Sequence, residues 1–350
     1  DLMRTVLRDG APIAEEYPLI FRPEFSGRVV TLEEPGSGVL ATCALLVREA
    51  RVGETRFRLG LIGSVATHPE HRGRGHASRV LARAEAEAAQ AGCVCTLLWA
   101  DEPGFYERRG YSPIGTEIDA VVTDADLPSL PSLPEPTAVR EARTEDGPRL
   151  HELYSGHESR LERSLSEMLA LLEIPGMSTL VRTGSNGLQA YACVGRGADL
   201  HNVVHEWGGP ADDVLALLRA HLERRPASER ELFVMLPACA RELASALDGI
   251  GVPRATGILG MAKLVNVEAA AELFSTFLGG LGAVSALTTD PLCLEVRGPG
   301  GTHQLTAPET LLALLAPRGD RALPRVVEDS TGLSLPALPL AAFVWGLDSI

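Results

Sequence analysis

The chain has 350 residues, 45% of them hydrophobic, which at roughly 100–200 residues per domain predicts two or three domains with cores of their own. With 46 acidic against 32 basic side chains its formal charge is -14, which argues against a nucleic-acid partner and suits a cationic substrate. No apolar run approaches the roughly 20 residues of a membrane span, and no charged-then-apolar leader opens the chain, so a cytoplasmic protein is expected.

The first residue is Asp1 and not Met, which predicts a trimmed start. Residues 39–48 (VLATCALLVR) read as a buried strand and 57–66 (FRLGLIGSVA) as its partner. A Gly/Arg-rich turn follows, then a helix whose apolar positions Ala77, Val80, Leu81, Ala84 and Ala88 recur at i, i+3, i+4. Gly92 ends it, and 93–99 (CVCTLLW) reads as another buried strand. Strand, loop, helix and strand in that order predict an α/β layer arrangement around a mixed sheet. Residues 124–136 (DADLPSLPSLPEP) hold four prolines at near-regular spacing, which favours an extended connector. The expected division is a first domain over 1–123, a linker over 124–137, a second domain over 138–259 and a third over 260–350.

The second segment repeats the same grammar. Helices are predicted over 151–160 and 164–172, strands over 178–182, 188–194 and 202–207, a helix over 210–224 and a strand over 231–236. The third segment reads as a strand over 263–267, a helix over 269–278, a hairpin about Gly298-Pro299-Gly300-Gly301 and a short helix over 308–315. Six cysteines (Cys43, Cys93, Cys95, Cys193, Cys239 and Cys293) are scattered without a CxxC pair, so reduced thiols are expected and zinc is not. His201 and His205 fall on a predicted strand, where four residues span about 13 Å, too far for one ion, and no metal is expected.

The stretch that carries chemistry is 64–88 (SVATHPEHRGRGHASRVLARAEAEA). It sets Arg72-x-x-Gly75-x-Ala77 between a strand and a helix. A helix start carries unpaired N–H groups and partial positive charge, so it can hold an anion. Gly73 and Gly75 let the backbone turn its N–H groups inward, and Arg72 and Arg74 add charge. With its His68-Pro69 lead-in, the stretch resembles the pyrophosphate loop of the GCN5-related N-acetyltransferase (GNAT) superfamily. That resemblance implies acetyl-CoA as cofactor, held by Val65, Ala66, Thr67, Arg72, Gly73, Arg74, Gly75, His76, Ala77 and Ser78. Phe105 to Tyr111 (FYERRGY) resembles the superfamily's FYxxxGF segment, in which the residue matching Tyr106 can protonate the departing thiolate. Tyr106 is thus a general acid or a core aromatic, whereas Phe105 and Tyr111 are expected in the core.

Amide formation asks for three things. An alkyl ammonium, with a pKa of roughly 10, must lose a proton; the oxyanion needs donors such as backbone N–H groups around 65–67; the thiolate needs a proton. Direct transfer in a ternary complex is expected, because no cysteine has an activating histidine beside it. In the second segment the equivalent junction, 204–213 (VHEWGGPADD), has no Arg or Lys and carries Asp212 and Asp213 in the first helical turn, which predicts a GNAT-like domain that does not bind coenzyme A.

Two such modules and a small third one resemble the enhanced-intracellular-survival family of tandem acetyltransferases. That likeness implies a sterol-carrier-like C-terminal domain, amine acceptors, and the chain's own terminal carboxylate as general base. Here that group would be the carboxylate of Ile350. The apolar run 343–347 predicts a docked tail, which either completes the third domain's core or reaches the first domain's site; Asp101 and Glu102 are the other candidate bases. A coenzyme-A-binding regulator and a lipid carrier are the rival functions, and a small-molecule or peptide amine is the expected partner, with a homo-oligomer open.

Overall fold

The computed structural model describes residues 1–132, 138–185, 187–287 and 292–350. Of the proline-rich connector, residues 133–137 lie outside that description.

Two short helices, α1 (Leu2–Leu7) and α2 (Pro18–Phe21), precede an antiparallel meander of β1 (Arg28–Glu34), β2 (Gly38–Val52) and β3 (Thr55–Thr67). Helix α3 (His76–Gln90) crosses over to β4 (Cys95–Leu98), which lies parallel to β3, a pairing that needs such a crossover. Helix α4 (Pro103–Glu107), β5 (Ser112–Ile114) and β6 (Glu117–Thr123) follow. The middle of the chain supplies β7 (Val139–Glu141), α5 (Gly147–Ser155), β8 (Ser159–Leu161), α6 (Leu165–Leu171), β9 (Ser178–Gly184), β10 (Gly187–Arg196) and β11 (Asp199–Gly208). It closes with α7 (Ala211–Glu223), β12 (Glu231–Pro237), α8 (Arg241–Gly249), β13 (Arg254–Gly257) and β14 (Gly260–Leu264). The last part holds α9 (Val267–Ser275), β15 (Ala283–Leu287), the hairpin β16 (Cys293–Gly298) and β17 (Gly301–Thr306), α10 (Ala307–Leu315) and α11 (Ala322–Thr331).

The fold is mixed α/β. One seven-stranded sheet runs β1-β2-β3-β4-β14-β5 with β8 added to β2; another runs β13-β6-β12-β11-β10-β9-β7; the third is β15-β16-β17. The first two sheets are not continuous in sequence. Strand β6, which the sequence reading grouped with the first segment, pairs with β12 and β13 of the second sheet. Strand β14, read as the start of the third segment, pairs with β4 and β5 of the first. The chain therefore crosses between sheets after Ile114 and crosses back after Gly257.

One face of the first sheet is covered by α3. Val80, Leu81, Ala84 and Ala88 of that helix pack with Cys43, Leu45, Ile62 and Leu98. The other face carries Leu46, Leu59, Leu61 and Leu97 into a core shared with the second sheet and the C-terminal tail. The predicted helix 151–160 ends at Ser155, before Gly156. Residues 159–161 instead pair with Ala50–Val52 at the end of β2, a long-range pairing that no local pattern announces. The tail is buried: Phe343, Val344, Trp345 and Leu347 are each 2% exposed or less.

Candidate active site

The site begins with a fault in the first sheet. Strands β3 and β4 pair only from Leu59–Leu61 to Cys95–Leu97, and beyond that point they part. On the other side of β3, Gly63 lies opposite Ala44 and Ala66 opposite Thr42, so the register shifts and Ser64 and Val65 bulge out of step with β2. Ser64 holds a left-handed φ of 51°, uncommon for a residue with a side chain and in keeping with the bulge. A cleft of about 1020 Å³ opens where the strands part.

The Gly/Arg stretch forms one end of this cleft. Gly73 (φ 74°) and Gly75 (φ 79°) both take the left-handed conformation that favours glycine, and a Cβ on either would meet nothing within 4 Å. Gly75 caps α3, so the first N–H groups of the helix open on that free space. The His76 Nδ1 atom is buried there and has no hydrogen-bond partner. An open, N–H-rich concavity with an unsatisfied polar atom fits a pyrophosphate group. Val65, Thr67, Arg72, Gly73, Gly75, His76, Ala77 and Ser78 line the cleft. Ala66 and Arg74 do not: Ala66 is 2% exposed within the sheet, and the exposed Arg74 reaches the His71 ring at 3.4 Å.

Helix α4 is fastened to this end by Arg109, which sequence reasoning missed. Its Nε and Nη2 donate to Ser78 Oγ at 3.0 and 2.6 Å, and its guanidinium lies 3.6 Å over the Phe105 ring. Tyr106 packs edge-on to Phe105 and Tyr111 and lines the cleft. Burial, then the nearby Cys43 thiol, pushes its phenol above the ordinary range, so at neutral pH it holds its proton. Tyr111 is a core residue whose hydroxyl donates to Glu85 at 3.0 Å, and Lys263 of β14 joins that carboxylate at 2.6 Å.

The tail reaches the cleft from the other side. A Cβ built on Gly63 would stand 1.9 Å from the Ile350 main-chain oxygen and 2.2 Å from its carbon, so the Ile350 carboxyl group rests directly on Gly63. Ile350 lines the same cleft as Tyr106 and the glycine cradle. Its approach is fixed two residues earlier. Asp348 is fully buried and accepts two bonds from Arg163, Nε to Oδ1 and Nη2 to Oδ2, each 2.8 Å. Tyr154 donates to Asp348 Oδ2 at 2.8 Å, and Arg163 also holds Glu206 at 2.7 and 3.1 Å. Burial alone would pull Arg163 down, but Asp348 and Glu206 outweigh it and push it well up, so the guanidinium stays charged. Trp345 donates to the Ser159 carbonyl at 3.0 Å and lies against His157, 4.2 Å between ring centres. The tail is thus held chiefly by the second domain. His205 serves here as packing: its Nε2 lies 2.8 Å from the Gly195 carbonyl, and Gly346 presses on its ring.

A third wall comes from the N-terminus and the β10–β11 turn. Arg8 binds Glu16 at 2.9 Å and Asp199 at 2.5 Å, and Tyr17 donates to Asp199 at 2.8 Å. In the second domain the turn before α7 carries no basic residue, and Asp213 pairs with Arg182. Asp101 and Glu102 sit on the cleft rim beside Trp99.

Residues 13–114 match the family described as the acetyltransferase (GNAT) domain. A conserved protein of unknown function and probable N-acyltransferase from Enterococcus faecalis V583 has a similar fold, with a TM-score of 0.64 at 15% identity over 88% of this chain and 81% of its own. A GCN5-related N-acetyltransferase from Anabaena variabilis ATCC 29413 gives 0.57 at 16% identity, covering 87% and 81%. Eis1 from Mycobacterium abscessus gives 0.51 at 14% identity, covering 87% and 80%. None of the curated proteins matches the sequence. At these identities the likeness is one of fold, and it runs through most of the chain. Residues 13–114 thus match an acetyltransferase (GNAT) domain, and these solved structures share the fold over most of the chain.

Proposed function

We propose that the chain is an N-acetyltransferase that moves the acetyl group of acetyl-CoA directly to an amine, within a ternary complex. The observation that carries this reading is the convergence, on one cleft, of the glycine cradle, the Tyr106 hydroxyl and the Ile350 carboxyl group. Acetyl-CoA would supply the thioester carbonyl as electrophile. The Arg72–Ser78 turn and the start of α3 would hold its pyrophosphate, and Val65 to Thr67 would run beside the pantetheine arm. The Ile350 carboxylate would take the proton that the acceptor ammonium must lose, and backbone N–H groups at the 64–65 bulge would donate to the developing oxyanion. Tyr106, held protonated by burial, would give its proton to the departing sulfur. No cysteine lines the cleft among the described residues, and burial pushes Cys43 up to about 12, which supports transfer without an acyl-cysteine.

The three-stranded sheet with α9, α10 and α11 against it supports the sterol-carrier-like reading of the last part. The buried thiols suit a reducing, cytoplasmic setting; no described helix is long and apolar enough to cross a membrane. The test of function is release of free thiol from acetyl-CoA against a panel of amines. Steady turnover with an amine, abolished by Gly75→Glu, is the expected result. Coenzyme A binding without turnover on any amine would make the protein a regulator instead.

A further inference from the structure

We infer that Trp99 forms an acceptor subsite that takes a second cationic centre of the amine substrate; the inference rests on the acetyltransfer reading above. The parallel register of β3 and β4 pairs Leu61 with Leu97, and both side chains enter the core on the acceptor side of the sheet. Gly63 lies two residues beyond Leu61 on β3, Trp99 lies two beyond Leu97 just past the end of β4, and both line the cleft between the parted strands. The Ile350 carboxyl group rests on Gly63. Trp99 thus lines the same cleft as the Ile350 carboxyl group, from the β4 side.

Its exposure sets it apart. Leu97 and Leu98 are each 1% exposed, and the other two tryptophans, Trp207 and Trp345, are 6% and 0% exposed, whereas Trp99 is 37% exposed. An indole left open in a cleft presents a face rich in π density, which attracts a desolvated cation. The charges around it have the matching sign. Asp101 and Glu102 follow on the same rim, both exposed, and the carboxylate of neither has a hydrogen bond or ion pair among the described residues. The cations of the cleft are committed elsewhere: Arg8 to Glu16 and Asp199, Arg109 to Ser78, and Arg72 at the cradle end. An acceptor with one nitrogen at Ile350 and a second ammonium or guanidinium some carbons away would place the second over Trp99.

The test compares 1,5-diaminopentane with n-pentylamine at saturating acetyl-CoA, in the wild type, Trp99→Phe and Trp99→Leu. The wild type should prefer the diamine through KM, with similar kcat. Trp99→Leu should cut that preference in kcat/KM by roughly 3- to 30-fold, and Trp99→Phe by less, since a weaker aromatic face remains. The preference is a ratio within one protein, so partial loss of folded enzyme cancels. In parallel, the diamine should shift the emission of the wild type but not of Trp99→Phe, whose remaining tryptophans are buried. A preference unchanged in Trp99→Leu, or a diamine that leaves wild-type emission unaltered, overturns the subsite. Absence of thiol release with every amine would overturn the acetyltransfer reading, and the emission titration would still decide the subsite.

Discussion

At Gly63 a single hydrogen in place of a methyl group decides whether the tail can reach the cleft. A Cβ there would lie 1.9 Å from the Ile350 oxygen, so Gly63→Ala must push the carboxyl group away, although the backbone at 63 is not in a left-handed conformation. Turnover should fall by roughly 10-fold or more, the scale of a lost proton transfer, while calorimetry shows acetyl-CoA affinity nearly unchanged. Adding residues after Ile350 converts its carboxylate into a neutral amide and should have the same effect; a fully active extended protein would sink the role given to that group. Tyr106→Phe removes only the hydroxyl. It should lower turnover by roughly 10-fold with the melting temperature unmoved, because the two edge-on ring contacts remain. Unchanged turnover would return Tyr106 to a packing role. Gly75→Glu differs from both: it sets a carboxylate on a left-handed position at the head of α3 and should abolish cofactor binding itself.

Among the elements, the loop between β3 and α3 was legible in the sequence as strand, glycine turn and helix, although Ala66 and Arg74 fall outside the cleft, and the tail was legible only in part. The glycine cradle is a local object: a strand, four or five special residues and a helix, all contiguous, so its form could be read from a short stretch of sequence. The hydrophobic content of 343–347 likewise announced burial. What it is buried against could not be read, because Arg163, Tyr154 and Glu206 lie far away in sequence and each has the composition of an ordinary surface or core residue. The same holds for Gly63, one of 35 glycines, whose importance appears only when Ile350 is laid on it. The exchange of β6 and β14 between the first two sheets leaves no local trace either, since a buried strand reads the same whichever sheet receives it. The anchor has a measurable consequence. Arg163→Met would leave Glu206 buried without its counter-charge and Asp348 with only Arg48, 4.0 Å away; breaking a buried pair in this way typically costs about 3–5 kcal/mol. Loss of turnover together with a lowered melting temperature is expected, and coenzyme A binding should survive in whatever fraction folds. A variant as stable as the parent would show that the two carboxylates are neutral or solvated.

For the whole molecule, pH reads the balance between surface charge and buried histidines, and the two predict opposite signs. Acidification from neutrality reduces the net charge of -14, which by itself relieves self-repulsion and should stabilise the fold. Three histidines oppose this. Burial holds His157 at about 4, His205 at about 3 and His221 at about 3, against an unfolded value near 6.5. Between pH 6.5 and about 4 the unfolded chain therefore takes up three protons that the folded chain refuses, and stability falls as pH falls. Glu117 works the other way. Burial, then Asp119, raises it to about 8, so between pH 8 and 4.5 the folded chain keeps a proton that the unfolded chain has lost. Three protons against one leave a net difference of two between pH 6.5 and 4.5, a slope of at most about 2.7 kcal/mol per pH unit. Between pH 6.5 and 8 Glu117 and, toward pH 8, the buried thiols of Cys43, Cys93 and Cys95, pushed up to about 11 or 12, act in the same sense, and stability should decline as pH rises. Thermal unfolding across pH 5 to 8 should thus show a maximum near pH 6.5 to 7, with the melting temperature falling by several degrees per unit on the acid side. A melting temperature that stays level or rises from pH 6.5 to 5 would mean that relief of surface repulsion outweighs the buried imidazoles, and that water reaches at least one of them in the folded chain.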